Sequence, residues 1–363
     1  MPSWREIAID AGMGLFRASG AHRLAEPYTR GLGAILMFHR VHHHLQRGFE
    51  PNRGLEISID FFDALLRHLR QKGYRILSMD DALAELQGGG GERAPFVVLT
   101  FDDGYRDLIE HVLPVLERHR APMTAYVTSG FADGSARMWW VELEESIRRL
   151  DRVDVAALGR RFDAPCGDAE EKKRAFADLY WFLRDGSEEE LLRASLSLCA
   201  RAGVEPRLLT SSLCLDWRGL AQLARHELVT IGAHSVTHAR LAKLDADACA
   251  REMADSRAAI AREMADSREA IAREIGVDAR HFCYPVGDPP SAGKREFDLA
   301  RDLGFVSAVT TRPGMIFAEH RDHLLALPRL SINGRHQSLD EIDILLTGAP
   351  FALMNRGRKV LAA

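Results

Sequence analysis

Phe96-Val97-Val98-Leu99-Thr100-Phe101-Asp102-Asp103-Gly104 is the stretch on which the fold hinges. A short apolar run with β-branched and aromatic residues reads as a strand buried on both faces, the kind found in parallel sheets. Its end is abrupt: two adjacent carboxylates, then glycine. In α/β barrels, chemistry gathers at the carboxyl ends of the strands. Neighbouring strand residues point to opposite sides, but a turn beginning at Gly104 brings both acids toward one cavity. Two close carboxylates cannot both ionise freely unless a cation compensates, which is the physical case for a metal here.

Outward from this run, strands and helices alternate. Ala34 to Phe38 is a buried strand. Ser58 caps a helix through Phe61, Phe62, Leu65, Leu66 and Leu69 that stops at Gly73, and Tyr74 to Leu77 is a strand. Ser78 caps a second helix ending in the glycine run Gly88 to Gly91. After the acids come a helix near Leu108 to His119 and a strand at Met123 to Thr128. The rhythm returns at Leu228 to Ala233, then a long helix, a strand at His281 to Tyr284, a helix near Glu296 to Leu303 and a strand at Val306 to Thr310. This order predicts a parallel sheet or barrel. Residues from about Met138 to Ser212 break it and read as a mostly helical insertion on the rim. The N-terminal segment around Trp4, Ile7, Ala8, Ala11 and Leu15 has helical spacing.

The long helix holds a tandem duplication: AREMADSRAAI at 250–260 and AREMADSREAI at 261–271, differing only at Ala258 against Glu269. Eleven residues make three turns plus roughly 20°, so a copy lengthens the helix by ~16 Å with its apolar face nearly in register. It reads as a tolerated extension.

With 363 residues, 46% of them hydrophobic, 28% charged, and a net charge of −4, the chain suits an ordinary globular protein and lacks the basic field of a nucleic-acid binder. Cys166, Cys199, Cys214, Cys249 and Cys283 are odd in number and form no CxxC pair, which argues for buried reduced thiols. No window approaches a membrane span, and Glu6 and Asp10 interrupt the first apolar stretch, so the expected location is cytoplasmic. Pro350 to Leu361 mixes Phe351, Leu353 and Met354 with Arg356, Arg358 and Lys359; it suits a basic tail or a peripheral contact with the inner membrane surface.

A second chemical motif, His234-Ser235-Val236-Thr237-His238, follows the strand that ends at Ala233. Histidines four apart lie one helical turn apart on one face, a spacing that suits a divalent ion. With a carboxylate they make a two-His, one-Asp site that leaves positions open for water and substrate. Further elements are His39 in Met37-Phe38-His39-Arg40-Val41, the segment Phe282 to Asp288, and Leu327-Pro328-Arg329.

Taken together, TFDDG, HSVTH, an FxYPxG segment and the early MFHRV resemble the polysaccharide deacetylase family, carbohydrate esterase family four, over roughly Gly33 to Ile332 apart from the insertion. The resemblance implies an α/β fold, a distorted (β/α) barrel of the polysaccharide deacetylase type with the helical insertion on its rim. It implies a hydrolase of carbon–nitrogen bonds that removes acetyl groups from N-acetylated sugar units in a polysaccharide, oligosaccharide or lipid-linked saccharide. A related amidase acting on a small non-sugar amide or imide is the alternative. The implied layout is an N-terminal helical segment at 1–32, a catalytic domain at 33–345 with insertion 138–212 and repeat 250–271, and a tail at 346–363.

Matched position by position, the resemblance makes Asp102 the general base and Asp103, His234 and His238 the metal ligands. Zinc is expected, with cobalt or nickel compatible. The late Leu-x-His acid motif is missing, since Leu324-Leu325-Ala326-Leu327 carries no histidine. His39 instead resembles the early acid of the permuted biofilm-polysaccharide deacetylase branch. In the Arg-x-Pro-Tyr motif, Cys283 stands in place of Arg and Val286 in place of Tyr. The Val286 N–H still serves as an oxyanion donor, and Arg329 is the candidate to replace the missing Arg through space. Trp139, Trp140, Trp181 and Trp217 are the pool from which a sugar-stacking platform could come, though such aromatics more often serve core or rim packing; Trp139 and Trp140, on the edge of the insertion, are the ones singled out to touch substrate.

Overall fold

The computed structural model describes residues 14, 16–43, 48–88, 94–266, 278–335 and 337–362. The segment around Trp4 to Ala11, Leu15, the run Gly89–Gly91 and the duplicated stretch from 267 onward lie outside them.

Twelve strands are described: β1 Gly33–Phe38, β2 Arg40–His42, β3 Glu56–Ser58, β4 Arg75–Leu77, β5 Phe96–Phe101, β6 Met123–Val127, β7 Arg152–Ala157, β8 Arg160–Pro165, β9 Val229–Ala233, β10 His281–Cys283, β11 Ser307–Val309 and β12 Leu330–Ser331. The main sheet runs β11-β10-β9-β6-β5-β1-β12, with β4 also paired to β5. Among the described residues its ladders are parallel. A bridge from Val309 to Leu327, just before β12, links the two edges of the path. The sheet therefore curls into the barrel-like α/β form expected from the alternation. Every residue of β1, β5 and β6 is buried, as strands covered on both faces must be.

Helix starts follow their caps. Ser58 Oγ accepts from Phe61 N at 3.1 Å, opening the helix Ile59–Gln71, and Ser78 Oγ accepts from Asp81 N at 3.1 Å, opening the helix Met79–Gln87. The first of these buries Phe61, Phe62, Leu65, Leu66 and Leu69 in the main core together with Leu36 and Phe101.

The rim insertion differs from the sequence reading in one respect. Between the helices Trp139–Arg149 and Ala169–Arg184 stands an antiparallel hairpin, β7–β8. Its two-residue turn puts Leu158 at φ 57° and Gly159 at φ 65°, the left-handed pair a type I′ turn requires. The helices Glu188–Ala202 and Pro206–Leu213 complete the insertion, which packs around its own apolar cluster, including Leu143, Val153, Leu179, Leu191 and Leu198. The five cysteines are free and buried. Among the described residues no helix is long and apolar enough to cross a membrane. Near the C-terminus, a helix Ala349–Met354 buries Phe351 while leaving Leu353 and Met354 exposed.

Candidate metal and catalytic site

The carboxyl ends of the parallel strands converge on one mouth. His39 follows β1, Asp102 and Asp103 follow β5, His234 follows β9, and Cys283 ends β10. The sites read from the sequence as far apart along the chain are thus brought together. Asp103, His234 and His238 each present a donor atom within 4.8 Å of the others. His234 Nε2 lies 3.6 Å and His238 Nε2 3.4 Å from Asp103 Oδ1.

Those donors fit an ion. His234 Nδ1 lies 2.7 Å from the Cys283 carbonyl, which can only accept, so Nδ1 carries the proton and the Nε2 lone pair faces Asp103. Among the described residues, Asp103 Oδ1 and His238 Nδ1 are buried without a hydrogen-bond partner. Ligands bound about 2.0–2.1 Å from a tetrahedral zinc lie roughly 3.4 Å apart, close to the separations found. Burial and the adjacent Asp102 charge push the Asp103 carboxyl well above its usual range. Burial drives both imidazoles down, toward the neutral form that binds metal. Asp102, His234 and Cys283 also lie within mutual reach of one ion. There, however, Arg329 occupies both Asp102 oxygens and contacts the sulfur, so the Asp103 grouping is the better cation site.

Asp102 has the opposite environment. The Arg329 guanidinium grips it in a fork, with Nη1–Oδ1 and Nη2–Oδ2 both at 2.7 Å. Arg329 also donates to the Thr310 carbonyl at 2.9 Å and to Thr100 Oγ1 at 3.2 Å. Burial raises the Asp102 carboxyl, but the Arg329 charge and hydrogen bonds, with His234 and His39, together outweigh it and hold the group well below the usual carboxylate range. The Arg329 fork lies just where the Cys283 thiol leaves room, with Nη2 at 3.1 Å from Sγ. Across the site, His39 Nε2 is 4.0 Å from Asp102 Oδ2. Burial drives the His39 pKa down to about 4 against the pull of Asp102, with Arg329 and His234 adding to the fall.

The histidine motif is not helical, contrary to the spacing argument. His234 to His238 form a loop after β9. The rings converge because Ser235 (φ 62°) and His238 (φ 61°) are left-handed, and the rings meet at 4.9 Å. Asp103 (φ 73°) and the expected Gly104 (φ 77°) together reverse the chain in the same way, the turn opening one residue before the glycine, and so aim adjacent acids into one cavity. Val286 (φ 62°) is a β-branched residue in a conformation it rarely adopts; Thr311 Oγ1 donates to its carbonyl at 2.7 Å and fixes the turn.

The sequence reading missed the residues that hold the histidine loop. Glu252 accepts from Val236 N, Thr237 N and Thr237 Oγ1 at 2.7–2.9 Å, and Ser256 Oγ donates to the Ser235 carbonyl at 2.8 Å. Both stand on the helix Ala246–Asp266, in the first copy of the duplication, four residues apart on one face. That i,i+4 polar pair was the signal available. At Gly130, a Cβ would come within 2.5 Å of the Val236 carbonyl, so the short helix Ser129–Ala132 after β6 needs glycine there to pair with the histidine loop. Trp139 and Trp140, the expected sugar contacts, are only 6% exposed each; Trp140 packs on the His238 ring at 4.7 Å.

The sequence profile of polysaccharide deacetylases matches residues 89–159 and 187–308, more than half of the chain. The chain belongs to the polysaccharide deacetylase family. It is a hydrolase of carbon–nitrogen bonds other than peptide bonds, and an N-acetylated saccharide is the substrate class its family implies. Solved structures with a similar fold include the Streptococcus pyogenes deacetylase PplD in complex with acetate, 18% identical, covering 87% of this chain and 97% of that one with a TM-score of 0.55. A de-N-acetylase from Aggregatibacter actinomycetemcomitans is 13% identical over 86% of this chain and 98% of its own, with a TM-score of 0.53. IcaB from Ammonifex degensii is 17% identical over 88% and 97%, with a TM-score of 0.52. At these identities the likeness speaks for the fold. No curated protein sequence matches the chain.

Proposed function

We propose that this deacetylase is metal-dependent, with Asp103, His234 and His238 as ligands, Asp102 as general base, His39 as acid and Arg329 as the residue that positions the base. Its substrate is an N-acetylated sugar unit of a polysaccharide, oligosaccharide or lipid-linked saccharide, and its products are acetate and a free amino sugar. The observation that carries the reading is the contrast between the two adjacent acids: one gripped by a guanidinium, the other facing two imidazole nitrogens with no donor between. Zinc suits the ligand set best, with cobalt and nickel next.

A bound divalent ion supplies Lewis acidity and a lowered pKa for water. Asp102 takes a proton from the water that attacks the amide carbon. Arg329 keeps that carboxylate ionised and aligned, and by the same charge makes it a weak base, so the acidity of the water supplies much of the driving force. His39 rests uncharged, and the proton it gives the departing nitrogen arrives during turnover; Asp102, 4.0 Å away, is placed to pass it on. The carbon–nitrogen bond breaks as that nitrogen is protonated. The Val286 N–H lies on the loop that follows β10 and serves the oxyanion, a donor typically worth about 10²–10³ in rate.

The test is acetate release from N-acetylglucosamine oligomers and from small cyclic amides, with metal content measured on the same preparation. The expected result is sugar-dependent acetate release that a chelator abolishes and zinc restores. Turnover confined to the cyclic amides would move the enzyme to the non-sugar alternative, and full activity in the chelated protein would remove the metal.

A further inference from the structure

A chain of aromatic rings runs from the proposed metal ligands to the surface. His238 packs on Trp140 at 4.7 Å, Trp140 on Trp139 at 6.0 Å, Trp139 stacks on Tyr180 at 5.0 Å, and Tyr180 meets Trp181 at 5.4 Å. The first two tryptophans are buried, whereas Trp181, on the outer side of the helix Ala169–Arg184, is 59% exposed. A second tie reaches the segment that follows β10. The Arg184 guanidinium lies 5.1 Å from the Trp181 ring centre and 5.7 Å from that of Tyr180, and its Nη2 pairs with Asp288 Oδ2 at 3.0 Å. Asp288 stands two residues beyond Val286. The exposed indole is therefore coupled at once to the histidine loop and to the loop that presents the oxyanion donor.

We infer that Trp181 is a stacking platform for a pyranose unit of the substrate chain, one other than the unit losing its acetyl group. The inference rests on the deacetylase reading above. A pyranose offers a flat face of C–H groups, and an indole is the largest apolar surface a side chain can set against it. The ring is already oriented by Tyr180 and Arg184, so little conformational freedom is lost on binding. Trp139 and Trp140, spent on packing beneath the histidine loop, cannot take this part. The insertion that carries Trp181 thus acts as an extension of the binding cleft and gives the enzyme a preference for longer chains.

The experiment is steady-state kinetics of the zinc-loaded protein on N-acetylglucosamine oligomers from dimer to hexamer, comparing wild type, Trp181→Ala and Trp181→Phe, with hexamer affinity measured by calorimetry in an Asp102→Asn background. Trp181→Ala is expected to lower kcat/KM on the hexamer about three- to tenfold, through KM, with a smaller loss on the dimer and a matching fall in hexamer affinity. Trp181→Phe should recover most of that loss, which a merely structural role would not predict, and far-UV circular dichroism should be unchanged in both. A loss of equal size at every chain length, or none on the hexamer, overturns the platform while wild-type acetate release leaves the deacetylase reading intact. Wild type that neither binds nor turns over any oligomer overturns both.

Discussion

The barrel mouth and the rim insertion each bury carboxylates, and they treat them differently. In the insertion, Glu142 is fully buried between the helices Trp139–Arg149 and Glu188–Ala202, where Ser195 Oγ donates to it at 2.5 Å and Arg137 stands 3.6 Å away. Its Oε1 makes no hydrogen bond, but the Arg137 charge answers it, while Ser195 satisfies Oε2. At the mouth, Asp103 faces two imidazole nitrogens, its Oδ1 without a hydrogen bond, and four non-glycine residues, Asp103, Ser235, His238 and Val286, hold left-handed backbone conformations. Such conformations cost of order 1–3 kcal/mol each and persist where surrounding structure over-determines them. Burial of an acid is therefore no mark of a site by itself. An acid set against two histidine nitrogens, in a backbone held against its preference, is.

The largest expected effect that tests this contrast is on rate. Asp102→Asn should keep the metal, as judged by zinc content, and lower kcat by about 10²–10⁴. Near-normal turnover would reassign the base. Arg329→Met should come next. It leaves Asp102 charged and buried without its fork, and a broken buried pair of this kind costs about 3–5 kcal/mol, read by urea unfolding. Adding Cys283→Arg to that variant should restore part of both stability and activity if the guanidinium can reach Asp102 from β10. No recovery would mean that the start of β12 alone can supply the geometry.

A third prediction concerns protons. His39 has a folded pKa of about 4, below its ordinary 6.5. Between these values the unfolded chain binds more protons, so stability is full above pH 6.5 and falls as the pH drops toward 4. The metal-free wild type should therefore lose on the order of 3 kcal/mol more than His39→Gln over that window. Parallel pH curves for the two proteins would place His39 in a wetter environment than its packing indicates.

Much of this arrangement could be read from the sequence because the strands announce themselves. Runs such as Phe96–Phe101 are apolar on both faces, and Ser58 and Ser78 stand at real helix starts. His39, the Asp102–Asp103 pair and His234 were legible as neighbours from position, each just past a strand. What the sequence hid was conformation and company. The four-residue spacing of His234 and His238 mimics a helical turn, yet two left-handed residues bring the rings together. The hairpin β7–β8 escaped notice because its turn places Leu158, a residue that seldom adopts positive φ, beside Gly159. Glu252 and Ser256 carried only the weak signal of an i,i+4 polar pair, because a duplicated helix looks like filler until something is seen packed on it. The fork from Arg329 to Asp102 spans 227 positions, a separation that no local pattern encodes.

The smallest effect is the sharpest check on the comparison. Burial raises the Glu142 carboxyl above its ordinary value, against Ser195, Arg137 and Cys199. For an acid this sign means the folded state binds the extra proton, so the charged form costs stability at high pH and nothing below pH 4.5. Glu142→Gln removes that cost. Its amide oxygen can still accept from Ser195, while its NH₂ group is less welcome beside Arg137, so the net change should stay within about 1 kcal/mol. The variant should compare better with wild type at pH 8 than at pH 5 in thermal melts, and kcat on sugar oligomers should not move. If kcat fell instead by an order of magnitude with folding intact, Glu142 would belong to the mouth through Trp139 and Trp140, and the insertion could no longer be described as a support apart from the chemistry.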